Sequence, residues 1–512
     1  MLAVQELLRS AAFLHGAPEP ALVETHISWV ILAGDYAYKI KKPVRLPFLD
    51  YSTLRARKHY CEEELRLNRR LAPELYEGVS RVVRTPHGLA VDQDGAVVDY
   101  AVRMRRFPAG QRLDLILAEG RLTAADLDRC ARRIATMHGD APRAASGGPF
   151  GTPEVVVRVV RDCLEALGDG PVAVREARRW MAENEPELVD RFADRLDGGW
   201  IRECHGDLHL ANLACVDGRI VPFDAIEFDP ALRWTDIQAD AAFLLMDLWS
   251  RERPALGWRF YDTWLARTGD YEGVAVLRYY LIYRHLVRAK VDRIRLDQAP
   301  GDPHERKRVA RRLAIHLGGI RDLLRPGRAA LVLTHGLSAS GKSTIAKGLA
   351  AELPMIRLRA DLLRKRMAGI DPFDPAGEPP AGLYDPGFTD RVYDELARLA
   401  GLALDAGWNT IVDATFLTPA RREPLYALAR ERGLPALCLH CRAPESELRR
   451  RIVARRRAGT DPSDADLAVL TDQMAGIRGP ADNERDLWLE VDTTAAPEAG
   501  ELAMRLRRRL WA

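Results

Sequence analysis

The 512-residue chain has little of what would place a protein in a membrane, outside the cell or on a nucleic acid. It contains no run of 18 apolar residues, so no membrane-spanning helix is expected. Its seven cysteines are odd in number and scattered, which argues against a disulfide framework and for a reducing compartment. Charge is nearly balanced, 76 Lys and Arg against 73 Asp and Glu, and the balance holds on either side of Pro326. The basic excess of a nucleic-acid binder is missing. There is no internal repeat at a fixed period, which excludes a solenoid. The opening MLAVQELLRSAAFLHG lacks a basic start and a long apolar centre. It reads as a short amphipathic helix, and no secretory signal is expected. The length exceeds one hydrophobic core, so two or three cytoplasmic domains are expected.

What is present is most explicit at 329–346, AALVLTHGLSASGKSTIA. A strand-favouring run, Leu331-Val332-Leu333, leads into Gly336-Leu-Ser-Ala-Ser-Gly341-Lys342-Ser343-Thr344. This is the G-x-x-x-x-G-K-[ST] phosphate loop, with a strand before it and a helix after it. Gly336 and Gly341 permit a tight turn, so that backbone N–H groups through Ser338, Ala339 and Ser340 face phosphate oxygens. The helix opening at Lys342, with Thr344 in its first turn, adds the positive end of its dipole. Lys342 can reach the β- and γ-phosphates, and the Ser343 hydroxyl can hold Mg²⁺. ATP or GTP with Mg²⁺ is the expected ligand. The plain alternative is a chance Gly/Ser turn, against which the flanking strand and helix argue.

Beyond this loop come MIRLRADLLRKRM, a Pro/Gly/Asp-rich loop over 371–387, a helix over about 389–406, and NTIVDATFL. The strand–helix alternation predicts a three-layer α/β domain with a parallel sheet over 328–512. Asp413 ends a strand, where a carboxylate acting through Mg²⁺ or water belongs. Asp361 follows the second strand as an acceptor-side base, with Arg364 one turn on. ELRRRIVARRRAG carries six arginines on one helix. They read either as a solvated surface or as a lid over the transferring phosphoryl group, with Arg451 and Arg455 on one face. Cys438-Leu-His-Cys441 lies in an apolar strand and reads as core rather than zinc site.

The first 325 residues read differently. THISWVIL, a turn at Ala33-Gly34-Asp35, and YAYKIKK predict a hairpin. Lys39 on its second strand is either an outward-facing residue or a lysine that pairs with nucleotide phosphates. The helical RKHYCEEELRLNRRLAPELY offers Glu62, Glu63 and Glu64 as its partner, and the leucine spacing favours Glu64. Pro108-Ala-Gly110 divides a small β-rich lobe, 1–108, from a helical lobe, 109–325. Within the latter, His205-Gly-Asp207-Leu-His209-Leu-Ala-Asn212 has the D-x-x-x-x-N spacing of a phosphotransfer loop. A hairpin then delivers Asp224. Asp207 would accept the acceptor hydroxyl's proton, and Asn212 and Asp224 would hold Mg²⁺. His205 reads as an orienting residue, Glu227 as a support for Asp224, and Asp229, Asp236 and Asp240 as caps and buried partners. The basic stretch 276–296 reads as a solvated face, or else as a sign of an anionic acceptor.

These residues resemble the aminoglycoside phosphotransferases, small-molecule relatives of protein kinases, over roughly 20–300. The resemblance implies an α+β bilobal kinase-like fold, with Lys39 as its strand lysine. The loop expected over the phosphates, Thr25–Ser28, has no glycine, leaving Ser28 as its phosphate contact. Asp224-Ala-Ile-Glu227 stands in place of Asp-Phe-Gly. Residues 328–510 are similar to small P-loop kinases, among them polynucleotide 5′-kinases, gluconate kinases and zeta-toxin-like enzymes. Both halves in this order resemble bacterial bifunctional aminoglycoside phosphotransferase/ATP-binding proteins. The expected activity is ATP- and Mg²⁺-dependent transfer to a hydroxyl of a neutral or anionic small molecule, such as a sugar or nucleoside. The alternatives are one catalytic and one regulatory module, or 5′-hydroxyl phosphorylation of polynucleotides, which the charge balance disfavours. No membrane partner is expected.

Overall fold

A computed structural model describes Glu6, Leu8 and residues 20–46, 49–86, 88–298, 302–374, 382–458, 465–495 and 498–511, the side chains of 298, 456 and 458 excepted. The helix expected over 1–16 lies outside these apart from Glu6 and Leu8, as do 375–381 of the proline-rich loop and 459–464 after the arginine cluster. Contacts group the chain into two units, Met1–Asp162 with Phe192–Leu244, and Cys163–Arg191 with Leu245–Ala512. The division does not fall at Pro326-Gly327. That dipeptide is local punctuation. Helices Pro254–Thr268, Val274–Gln298 and Pro303–Leu324, which precede it, belong by contact to the second unit.

The first unit is built on a six-stranded antiparallel sheet. Its spatial order is Ala21–Glu24, Ser28–Ala33, Tyr36–Lys41, Ala96–Arg105, Tyr76–Thr85, Gly88–Val91. Gly34 has a φ of 57° and turns the expected hairpin in two residues. Helix Leu54–Leu71 is capped by the Thr53 side chain, which accepts from the Ala56 N–H. It buries Cys61, Glu64, Leu67, Asn68 and Leu71, the spacing of a single helical face, beside the sheet. Two short antiparallel strands, Leu213–Val216 and Arg219–Pro222, carry the chain from the loop at 205–212 to Asp224. This is a protein-kinase-like fold, a β-rich lobe followed by the loop at 205–212 and its short hairpin.

The second unit contains the P-loop fold. Its five parallel strands lie in the order Met355–Arg359, Asn409–Asp413, Leu331–His335, Ala436–Arg442, Trp488–Asp492. The first of these strands in the chain, Leu331–His335, is therefore central. The chain leaves it toward one side and returns to the other, and such a reversal opens a crevice at the strands' carboxyl ends. Helix Lys342–Glu352 starts there. Gly341 at its N-terminus has a φ of 83°, and a Cβ on Gly336, whose φ is 142°, would lie 2.4 Å from the Cys441 carbonyl oxygen. The core beneath combines Val332, Ile411 and Leu439 of the sheet with Leu349 and Leu506 of helices. No helix among the described residues is long and apolar enough to cross a membrane.

Candidate functional site

In the first unit, strand alternation puts Lys39 and Lys41 on one face of the sheet, where both are buried. Buried ammonium groups need carboxylates, and helix Leu54–Leu71 supplies one. Glu64, fully buried, accepts from Lys39 Nζ at 2.9 Å with Oε1 and from Lys41 Nζ at 2.8 Å with Oε2. Glu62 and Glu63 point elsewhere, to Lys58 and Arg66. Lys39 also donates to Asp224 Oδ1 at 2.5 Å. Burial would lower the Lys39 pKa, but the carboxylates of Asp224, Glu64 and Glu227 outweigh it and raise it well above the usual lysine value. Lys41 donates in turn to Glu227, which also accepts from the Tyr51 hydroxyl at 2.6 Å. Glu64→Gln leaves two buried ammonium groups short of a charge. Breaking a buried ion pair costs about 3–5 kcal/mol, so this variant is expected to unfold at markedly lower urea concentration.

The loop at 205–212 is held from below. Asp240 accepts from the His205 and Gly206 N–H groups at 2.8 and 2.9 Å. His138, Cys204 and Asp240 come close enough to ligate a metal, but Asp240 already uses both oxygens on this backbone. It is an anchor, as is Asp236 with Arg195; Asp229 caps a short helix. The His205 ring donates from Nε2 to the Phe223 carbonyl while Nδ1 accepts from the Asp207 N–H, and burial lowers its pKa, so it orients the loop as a neutral ring. Asn212 Nδ2 donates to Asp207 Oδ2 at 2.9 Å. His209 Nδ1 accepts from the Ala211 N–H, so its proton sits on Nε2, 3.3 Å from Asp207 Oδ2. The backbone N–H groups of Asp224 and Ala225 donate to the Tyr76 hydroxyl and Asn68 Oδ1, pinning Asp224 at a φ of 65°. The oxygen donors of Asp207, Asn212 and Asp224 suit a hard cation such as Mg²⁺, and the Asn212 amide nitrogen, committed to Asp207, leaves its oxygen for that role.

One candidate is corrected here. Ser28 is fully buried opposite Lys41, its hydroxyl without a hydrogen-bond partner, and its N–H is held by Thr25 Oγ1. It is not presented to a ligand. The turn at Thr25–Ser28 is closed on itself, since the Thr25 N–H and hydroxyl both donate to the Ser28 carbonyl.

In the second unit, a cavity of about 500 Å³ opens at the phosphate loop. Lys342 Nζ donates to the Leu337 carbonyl at 2.7 Å, and burial lowers its pKa despite Asp413. Ser343 Oγ donates to Asp413 Oδ1 at 3.1 Å. Asp413 Oδ2 is buried without a hydrogen-bond partner. A hydroxyl beside a carboxylate oxygen that no hydrogen bond occupies fits a Mg²⁺ ligand set. Ala339 has a φ of 62°, which helps aim the loop's N–H groups. Thr493 Oγ1 donates to the Ser340 carbonyl, fixing the loop from the last strand's end. Asp361, Arg364 and Thr344 also line the cavity. Arg364, however, is tied down, donating to the Leu383 carbonyl and Thr389 Oγ1.

The arginine cluster divides as its spacing allows. Arg451 and Arg455 reach the cavity, Arg451 donating to the Ala339 and Thr493 carbonyls and Arg455 to that of Ala465. Arg449 and Arg450 pair with Glu445 and Glu447 at the surface. Cys438 and Cys441 are buried core, their thiol pKa values raised by burial. The basic stretch 276–296 is not wholly solvated. Arg278 and Arg284 are buried, and Arg278 stacks on Trp408 while donating to the Leu323, Ala406 and Gly407 carbonyls. Four contributors went unread in the sequence. Lys41 had a signal, two residues beyond Lys39 on the same face. Gln473, whose Oε1 accepts from the Ser338 N–H, and Tyr384 and Tyr393 in the cavity wall had none.

Residues 331–480 match a family model described as an AAA domain. The chain is 32% identical over 460 residues to "Uncharacterized protein Rv2004c" of Mycobacterium tuberculosis (strain ATCC 25618 / H37Rv), covering 88% of this chain and 89% of that one. The chain belongs to the Rv2004c family. Among solved structures, amicoumacin kinase hAmiN in complex with AMP-PNP, Ca²⁺ and Ami is 13% identical, with 63% of this chain and 93% of that one covered and a TM-score of 0.40. The Mycobacterium tuberculosis APS kinase CysC in complex with AMPPNP and APS is 20% identical, with 36% and 98% covered and a TM-score of 0.27. For this Rv2004c family member, the two kinase-type folds are read from the strand orders and side-chain constellations above.

Proposed function

We propose that the chain is a kinase with two phosphotransferase sites, each using ATP and Mg²⁺ and each acting on a hydroxyl of a small molecule such as a sugar or nucleoside. The observation that supports this reading is that two sets of side chains suited to holding phosphate and metal each come together. One is Lys39, Glu64, Asp207, Asn212 and Asp224; the other is the phosphate loop with Lys342, Ser343 and Asp413. In the first, Lys39 moves from Asp224 to the nucleotide phosphates while Glu64 keeps hold of it, and Asp207 accepts the acceptor's proton. In the second, the loop N–H groups and Lys342 bind the β- and γ-phosphates, Asp361 faces the acceptor, and Arg451 and Arg455 supply charge to the phosphoryl group in transfer. Mg²⁺ would neutralise phosphate charge at Asn212 and Asp224, and at Ser343 and Asp413. The odd, scattered set of seven cysteines supports a cytoplasmic setting.

The buried Ser28 and the closed Thr25–Ser28 turn favour a second reading, in which the first site senses nucleotide and only the phosphate-loop site turns over. A screen with γ-labelled ATP, run with GTP as competitor over sugars, nucleosides, aminoglycosides and oligonucleotides, separates these readings. Two labelled small-molecule products, one lost in Asp207→Ala and the other in Lys342→Ala, are expected. A single product that survives Asp207→Ala supports the sensor reading. Transfer confined to oligonucleotide 5′ ends, or to nothing, contradicts the proposal.

A further inference from the structure

Asp413 sits in an unusual field for a metal ligand. Its Oδ2 lies 3.5 Å from Arg357 Nη1 and 3.7 Å from Arg359 Nε, and Arg357 is buried with it. Guanidinium charge this close competes with a divalent cation for the same carboxylate. Arg357 does not face Asp413 with its whole fork, however. Its Nε and Nη2 donate to the two oxygens of Asp262 at 2.9 and 2.8 Å, and only Nη1 is turned toward Asp413 and the Ser343 carbonyl. This bidentate pair is itself buried.

Asp262 comes from outside the stretch that makes the phosphate loop. It lies 95 residues before Arg357, on helix Pro254–Thr268, and the AAA-domain match begins only at residue 331. That helix packs against the phosphate-loop helix Lys342–Glu352. Near its end, the carbonyls of Ala266 and Arg267 accept from Arg366, on the helix that also carries Asp361 and Arg364. Gly269 ends helix Pro254–Thr268 at a φ of 74°, which favours glycine, and a Cβ there would lie 2.6 Å from Arg366 Nε. Trp258 and Trp264 of the same helix are buried.

We infer that Asp262 is a positioning residue for the phosphate-loop metal site: by holding and neutralising Arg357, it keeps Asp413 available to Mg²⁺. The inference rests on the reading of Asp413 as a Mg²⁺ ligand. It makes metal affinity at that site depend on a helix that precedes Pro326-Gly327 in the chain. Asp262→Asn releases an unbalanced guanidinium toward Asp413, which weakens Mg²⁺ binding. Arg357→Met removes that guanidinium and leaves Asp262 negative, which strengthens it. Removing both charges together returns the site toward its starting point. A helix that merely docks would behave otherwise, every one of these changes loosening the site in the same direction.

The test is a Mg²⁺ titration of fluorescent ATP-analogue binding to the full chain, counting only the signal lost in Lys342→Ala. Partners that orient metal ligands typically contribute 10–100-fold to affinity. Asp262→Asn is therefore expected to raise the Mg²⁺ midpoint by about tenfold or more, with metal-free nucleotide binding unchanged. Arg357→Met should lower the midpoint, and Asp262→Asn/Arg357→Met should sit near wild type. The double variant leaves no unpaired buried charge, so it carries the test if a single variant does not fold. A raised midpoint in the double variant, or an unchanged one in folded Asp262→Asn, overturns the inference while leaving the proposed function standing. Absence of any Lys342-dependent, Mg²⁺-dependent binding in the wild-type chain overturns both.

Discussion

Asp207→Ala is expected to cut phosphoryl transfer at the kinase-like site by about 10²–10⁴-fold, the usual contribution of a positioned general base. Its nucleotide affinity should hold, because Lys39, Glu64, Asn212 and Asp224 all remain. The geometry behind this is specific. Asp207 receives the Asn212 amide, with the His209 Nε2 proton nearby, so one carboxylate face is oriented by neighbours while the residue stays partly exposed. His205 sets the loop's backbone and Asp240 holds it from beneath, so truncating Asp207 removes the proposed base and leaves its scaffold. The check is single-turnover transfer from labelled ATP beside nucleotide occupancy on the same sample. A loss of occupancy matching the loss of rate would mean that Asp207 serves binding instead.

Lys342→Ala is the second large effect, and it falls on binding. Hydrogen bonds to charged partners contribute about 1.5–3 kcal/mol each, so losing the lysine at the phosphates should weaken nucleotide binding at the loop by about 10–100-fold. Lys342 is buried, and its ammonium now rests on the Leu337 carbonyl, at the edge of the loop it serves. Its alanine variant keeps the Gly336 and Gly341 turn and the helix N-terminus, so the fold should survive. Calorimetric titration with a non-hydrolysable ATP analogue measures the change. Transfer at the kinase-like site should be untouched.

The parts of this molecule that were legible in the sequence are those whose chemistry is local. The phosphate loop needs glycine at two left-handed or crowded positions and a lysine at a helix start, all within nine residues. The loop from His205 to Asn212 and the short hairpin before Asp224 are similarly contiguous. The Gly34-Asp35 turn follows from two residues. What escaped reading was distant pairing. Lys41 and Glu227 lie 186 positions apart, and Asp262 and Arg357 lie 95 apart. A charged residue in sequence carries no mark of whether it will meet water or a buried partner. The arginines of 276–296 make the same point, since Arg278 is committed to carbonyls and to Trp408 while Arg293 sits at the surface with Asp297. The Pro326-Gly327 break was visible because proline and glycine punctuate locally. Where contacts divide depends on which buried faces meet, and helix Pro254–Thr268 meets the phosphate-loop helix.

Two separate nucleotide sites in one chain is the claim on which the rest depends, and its most direct measurement is a stoichiometry. Equilibrium dialysis of the full chain with labelled AMP-PNP and saturating Mg²⁺ should find two nucleotides bound per wild-type chain. Lys342→Ala should retain one. A single nucleotide per wild-type chain that disappears entirely in Lys342→Ala would contradict the account, because the Lys39–Glu64–Asp224 constellation would then hold no nucleotide.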